Sequence, residues 1–181
     1  MKKLVLSTLC AAAILSACGS TAPSAQMSEP RSVMVGGAAM FADKDIVDNA
    51  VNSKDHTTLV AAVKAAGLVD TLKSAGPFTV FAPVNAAFAA LPAGTVDTLT
   101  KVLTYHVVPG RLSAADLGRQ ITAGGGRAML KTASGGTLVA SMSGSSVLIT
   151  DDGGAFARVT IADVNQSNGV IHVVDKVLLP K

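Results

Sequence analysis

The chain has 181 residues, 49% of them hydrophobic, which is material for one core and one domain of ordinary size. Its formal charge of +3 falls to +1 when Lys2 and Lys3 of an N-terminal leader are set aside, leaving 13 basic against 12 acidic groups. A pI near 9.0 is therefore no case for nucleic-acid binding, and at 3% aromatic content no basic run interleaves with aromatic rings.

Lys2 and Lys3 precede an almost unbroken apolar run over residues 4–15. The run is too short to span a bilayer core, which needs about 20 residues, but suits the central part of a secretory signal. It ends in Leu15-Ser16-Ala17-Cys18, which resembles the lipobox of bacterial lipoproteins. That resemblance implies cleavage after residue 17 and lipid attachment at Cys18, with the membrane as a partner through the lipid. Gly19 after the cysteine resembles lipoproteins sorted to the outer membrane, facing the periplasm or the cell surface. The chain's cysteines are Cys10, inside the leader, and Cys18, so the remainder has no disulfide and must be held by its core.

Residues 18–42 read as a lipidated start and flexible tether, and residues 43–181 as the domain. Residues 32–40 are more apolar than a linker, so they lie on the domain as an arm or stay mobile. Ile46, Val47, Ala50 and Val51 recur at helical spacing behind Asp43 and Asp45. Residues 56–67 form a second helix, with Asp55 as cap and Gly67 as terminator. Residues 68–72 add a short third helix.

Residues 76–94 form one unit. Gly76-Pro77 breaks the preceding segment, Phe78-Thr79-Val80-Phe81 is strand-like, and Pro83 ends that strand. Asn85 caps a short helix carrying Phe88 and Leu91 on one face, and Pro92 and Gly94 stop it. Phe78, Phe81 and Phe88 are placed to lock helices onto the sheet. Val96, Leu99, Val102 and Leu103 then continue at helical spacing to Tyr105-His106. Beyond them the pattern changes to a brief strand at Val107-Val108, a capped turn over 113–117, and alternating runs at 127–131, 137–142, 147–150, 158–163 and 170–179. Glycine-rich turns separate these runs. Helices followed by a meander indicate an α+β domain, with Val170-Ile171-His172-Val173-Val174 as a central strand.

Three blocks resemble the signature segments of the fasciclin domain family: 58–69 with 78–83, then Leu103-Thr104-Tyr105-His106-Val107-Val108-Pro109-Gly110, then 167–180. The resemblance implies a wedge-shaped β domain with helices packed on it, typically extracellular and adhesive. It also points to Asp163 and Val164, at the place of an Asp-Ile pair implicated in integrin binding in animal members, as candidate partner-binding residues. A segment of about ten residues usual before the Tyr-His block is missing here, which predicts one merged helix across 95–105. Val84 stands where the family often has Thr or Asp.

Candidate chemistry is sparse. Tyr105, His106 and His172 belong to the motif blocks and lack metal-ligand spacing, so they read as hydrogen-bonded core groups. Asp175 reads as structural too, satisfied by a lysine, by backbone N–H groups or by an edge position. Asp151 and Asp152 fall short of the ligand count calcium wants, and no nucleophile or phosphate-loop signature is present. The expectation is a non-enzymatic, monomeric module without cofactor or metal, binding extracellular protein or polysaccharide and no nucleic acid. A periplasmic small-ligand binder or enzyme with an unrecognised cleft, and a passive envelope or stress protein, are the alternatives.

Overall fold

The computed structural model describes residues 32–91 and 99–181. The leader, Cys18, the tether up to residue 31 and the join over 92–98 where a merged helix was expected lie outside the described residues.

Ser32–Val35 (β1) and Ala38–Phe41 (β2) pair as an antiparallel hairpin. Val35 and Met40 point inward and are almost fully buried. The globular unit thus takes in residue 32 onwards, which resolves the arm-or-tether alternative and moves the expected boundary at 43. The physical reason is the alternation itself: Val33 and Val35 on β1 and Met40 on β2 turn to the core, while Met34, between the two valines, faces outward. Ile46–Ala50 (α1) locks the hairpin through Asn49, whose Oδ1 accepts from Phe41 N–H at 3.0 Å while its Nδ2 donates to Phe41 C=O at 2.7 Å. The same Nδ2 reaches Gln166 Oε1. Asn49→Ala leaves these buried partners unpaired, and is expected to cost about 3 kcal/mol in denaturant unfolding. A loss under about 1 kcal/mol would remove Asn49 from the account of how the hairpin is held.

The helical cap is assembled by side chains reaching across elements. Asp45 caps α1, accepting from Asp48 N–H at 2.8 Å. A 3-10 turn over Lys54–His56 leads into Thr57–Ala65 (α2), and Val69–Lys73 (α3) follows. Gly67, at φ +66°, closes α2 with paired bonds from Gly67 N–H to Lys64 C=O and from Leu68 N–H to Val63 C=O, both 3.1 Å. Two expected caps are corrected. Asp55 lies inside the 3-10 turn, and Asn85 lies within the first turn of Asn85–Ala89 (α4), where Val84 is the N-cap. Because α4 packs beside the start of α2, Asn85 caps that helix instead. Its Oδ1 accepts from Thr58 N–H at 3.0 Å, and its Nδ2 donates to Lys54 C=O at 2.8 Å.

The remaining strands are Phe78–Pro83 (β3), Val107–Pro109 (β4), Arg127–Lys131 (β5), Thr137–Ser143 (β6), Ser146–Thr150 (β7), Phe156–Gln166 (β8) and Gly169–Val174 (β9). They form one curved sheet in the order β4-β3-β9-β8-β7-β6-β5. β3 and β9 run parallel, with Phe78 opposite Gly169 and Pro83 opposite Val174, and the other pairs are antiparallel. Every residue of β9 is buried, as its two-sided apolar pattern requires. β9 ends at Val174, short of the expected 179, because residues 175–179 leave the ladder. Two helices complete the unit: Leu99–Tyr105 (α5) and Ala114–Ala123 (α6). Ser113 and Asp116 form a reciprocal capping box that starts α6, and Leu117 and Ile121, four apart, bury its inner face, so it outruns the turn expected over 113–117.

The sheet separates two cores. On one side Val35, Met40, Ile46, Leu59, Val63 and Leu72 from the hairpin and helices meet Val80, Ile171 and Val173. On the other, the curled sheet and α6 enclose Phe81, Tyr105, Leu117, Leu130, Ile149 and Leu178. The curl brings the far ends of the sheet together, where Ala133 N–H donates to Val107 C=O at 2.7 Å. Phe78 and Phe88 pack partly buried against the helical core, as expected. Phe81 does not: its ring lies on the opposite side, stacked on His172 with centroids 5.7 Å apart.

Candidate interaction site at the β8 bulge

Asp163 and Val164 sit where β8 slips register against β9. Asp163 is a non-glycine residue with φ +57°, and this bulge resets the alternation, so that Ile161 and Val164 both face the helical core although they are three positions apart, an odd offset that would put them on opposite faces of a regular strand. Val164 is consequently fully buried and has no surface to offer a partner. Asp163 remains at the surface, but its carboxylate is committed: Oδ1 accepts from Ala114 N–H, the first residue of α6, at 2.7 Å. A carboxylate at the positive end of a helix is well placed electrostatically.

His172 completes this corner from below. Its Nδ1 accepts from Asp163 N–H at 3.3 Å, which assigns the proton to Nε2, and Nε2 donates to Leu112 C=O at 2.8 Å. Burial pulls its pKa down from the ordinary imidazole value, against the opposing pull of the Leu112 carbonyl and Asp163. Thr79 holds the same loop from β3, accepting from Leu112 N–H at 2.9 Å and donating to Gly110 C=O at 2.7 Å. Arg111 and Asn165 then lie outermost, joined by a 2.8 Å bond from Arg111 Nη2 to Asn165 Oδ1. The corner is a rigid polar ledge.

The Tyr-His pair builds a second, buried junction. Tyr105 donates from its hydroxyl to Thr137 C=O at 2.9 Å and accepts from Asp152 N–H at 3.1 Å, and its ring lies so close to Gly136 that a Cβ there would overlap it. His106 lies at the joint between α5 and β4. Its Nε2 accepts from Leu178 N–H at 3.0 Å, so Nδ1 carries the proton and donates to Val102 C=O at 2.8 Å. Burial pushes its pKa down to about 4, against the Val102 carbonyl and the Asp151 charge. Asp151 gathers three backbone donors: Gly153 and Ala155 at Oδ1, both 2.9 Å, and Leu179 at Oδ2, 3.0 Å. Asp175 is exposed just past β9 and accepts from Arg158 N–H at 2.8 Å, the backbone-satisfied option among those expected.

His106, His172 and Asp175 therefore share no cleft. An apolar crevice lies between α1–α3 and β3, with a cavity of about 40 Å³ lined by Ile46, Leu59, Val63, Leu72 and Val80, and His106 reaches its wall with both ring nitrogens already bonded. Among the described residues, no group of His, Cys, Asp or Glu converges in metal-binding geometry. The sequence reading missed Thr79, Arg111 and Asn165 at the bulge. For Asn165 the available signal was its place two residues after Asp163.

A sequence profile of the fasciclin domain matches residues 54–180. The chain belongs to the fasciclin domain family. Protein sll1483 of Synechocystis sp. is similar to it at 45% identity, over 83% of this chain and 81% of that protein. Cell surface glycolipoprotein MPB83 of Mycobacterium bovis is 29% identical, over 80% of this chain and 64% of that one. In three dimensions the chain is similar to a FAS1 domain pair from the insect cell adhesion molecule Fasciclin I, at a TM-score of 0.58 and 22% identity, over 67% of this chain and 44% of that one. The α+β fold with a large curved sheet is thus the fasciclin fold. Within it, the Tyr-His block and the closing block meet physically, through the Leu178–His106 bond, although 72 residues separate them.

Proposed function

We propose that this fasciclin domain is an extracytoplasmic, lipid-anchored binding module that supports cell adhesion or aggregation. The observation carrying the reading is the family match over 54–180, with relatives described as a cell surface glycolipoprotein and a cell adhesion molecule. The Leu15-Ser16-Ala17-Cys18 segment supports the anchor. The polar ledge of Arg111 and Asn165 supplies the contact, in place of the buried Val164. A ledge held by Thr79, His172 and Asp163 loses little conformational entropy on binding, which favours a small interface. Many copies on one membrane multiply such a weak contact.

Purified protein is expected to bind cells or extracellular polysaccharide weakly, while beads coated with it adhere. Arg111→Ala with Asn165→Ala, both at the surface, should reduce bead adhesion several-fold with little change in unfolding midpoint. A deletion strain that adheres and aggregates like its parent on every surface would sink the adhesion reading. Mass spectrometry of the mature N-terminus tests the anchor separately, since an unacylated start away from Cys18 removes it.

A further inference from the structure

The outer face of β5–β8 carries a feature that no part of the bulge site uses. Over 127–131, 137–141, 146–150 and 156–160 every second residue is buried in the core, so the intervening residues form rows across the sheet. One row, set by the pairing register, is Met129, Val139, Thr150 and Phe156. Its ends are far more exposed than apolar side chains usually are, Met129 at 77% and Phe156 at 53%. The adjacent row is Arg127, Ser141, Leu148 and Arg158, with Lys131 at the next position of β5. Lys176 lies over the Phe156 ring at 5.0 Å.

An apolar strip is thus bordered by Arg127, Lys131, Arg158 and Lys176. None of these four forms an ion pair within the described residues. Two carboxylates adjoin these strands: Asp152 in the β7–β8 turn and Asp175, which accepts from Arg158 N–H. The strip lies on the convex side of a curled sheet. A convex surface suits a broad, deformable partner rather than an extended polymer held in a groove. Lys176 also covers the face of the one aromatic ring, which removes it as a platform for stacking on a sugar. Apolar side chains inside a ring of cations match the two attractions an acidic bilayer surface offers, insertion at the acyl boundary and charge at the headgroups.

We propose that the outer face of β5–β8 docks flat on an anionic lipid bilayer. Met129 and Phe156 enter the headgroup boundary, and Arg127, Lys131, Arg158 and Lys176 contact lipid phosphates. Asp163 lies seven residues along β8 from Phe156, roughly 20 Å of strand, so the bulge corner is a separate part of the surface from the docking strip. The inference stands whether or not that corner mediates adhesion.

Methionine oxidation tests it in the full chain, because the exposed Met34 on β1 serves as an internal control for Met129. The protein is reconstituted into phosphatidylcholine vesicles with or without phosphatidylglycerol and treated with a polar oxidant, and the two sulfoxides are quantified by mass spectrometry. An N-terminal lipid anchors the chain equally in both vesicles, so only orientation differs. On phosphatidylglycerol, Met129 oxidation should slow by about fivefold or more, the factor one basic residue contributes at such a surface. Met34 should be unchanged, and high salt should restore Met129 reactivity. The variant Arg127→Glu/Lys131→Glu, checked for folding by circular dichroism, should lose the protection. Equal Met129 rates on the two vesicle types, or equal protection of Met34, would overturn the proposal. So would protection of Met129 by dextran sulfate without lipid, which would assign the face to a soluble polyanion.

Discussion

Acidification is expected to destabilise the domain progressively as pH falls from about 6.5 towards 4, before its carboxylates titrate. His106 is neutral in the fold, with Nε2 accepting from Leu178 N–H and Nδ1 donating to Val102 C=O. Its pKa is about 4 in the fold against 6.5 in the unfolded chain. The unfolded chain therefore binds the proton first, and stability falls as pH falls through this window, with the full contribution present above 6.5. Protonation puts a hydrogen on Nε2 that faces the Leu178 N–H, so donor meets donor in a site without solvent. The gap between the two pKa values corresponds to about 3 kcal/mol. His172 and His56 are shifted in the same direction by burial and add to the slope. Asp48 and Asp116 are lowered from 3.8, Asp48 by its bond to Lys73 and Asp116 by Ser113, so their losses begin below the histidine window. Denaturant unfolding across pH 7 to 4 measures this directly. His106→Leu should be less stable at neutral pH, because it leaves the buried Leu178 N–H unpaired and takes one of two donors from Val102 C=O, yet show a shallower slope. An unchanged slope in that variant would exclude His106 as the titrating group.

Removing the Asp151 carboxylate should cost a comparable amount, about 3–4 kcal/mol. Two of its donors, Gly153 and Ala155 N–H, belong to the β7–β8 turn, and the third is Leu179 N–H from the segment after β9. Asp151 is 6% exposed, so in Asp151→Ala water has little room to replace the lost acceptor. Asp151→Asn is a poor rescue. One amide oxygen can serve the turn, but the NH2 group then points at Leu179 N–H, or the reverse. Amide hydrogen exchange distinguishes the two halves of the role: Leu179 and the turn should lose protection together in the alanine variant. If Leu179 stayed protected and the unfolding midpoint moved by less than about 1 kcal/mol, the carboxylate would not be tying these segments.

Much of this molecule could be read from its pattern, and the misreadings share one cause. Alternation placed β5, β6, β7 and most of β8 because each has one buried face, and the two-sided apolar run placed β9 at the centre. Gly67 was legible because a left-handed terminator has a one-residue signature. The polar assignments at Asp55 and Asn85 failed because a cap was sought in the local chain, while Asn85 serves a helix 27 residues earlier. Val164 failed for a related reason: the bulge at Asp163 reverses which side of the strand faces the core, and nothing local in Ala162-Asp163-Val164 announces a positive φ. The hairpin over 32–41 stayed undecided because its anchors, Asn49 and Gln166, lie in other parts of the chain.

The parallel pairing of β3 with β9 also sets an order of events during synthesis. The two strands that separate the cores are 91 positions apart in register, from Phe78 to Gly169. Neither core can close until β9 is present, since it contributes Ile171 and Val173 to one and Val174 to the other. Contacts this distant in sequence form late, after a large loop-closure cost. A nascent chain lacking its last strand thus remains open, a form compatible with passage through a narrow translocation channel, and collapses to its final packing only once that strand has followed.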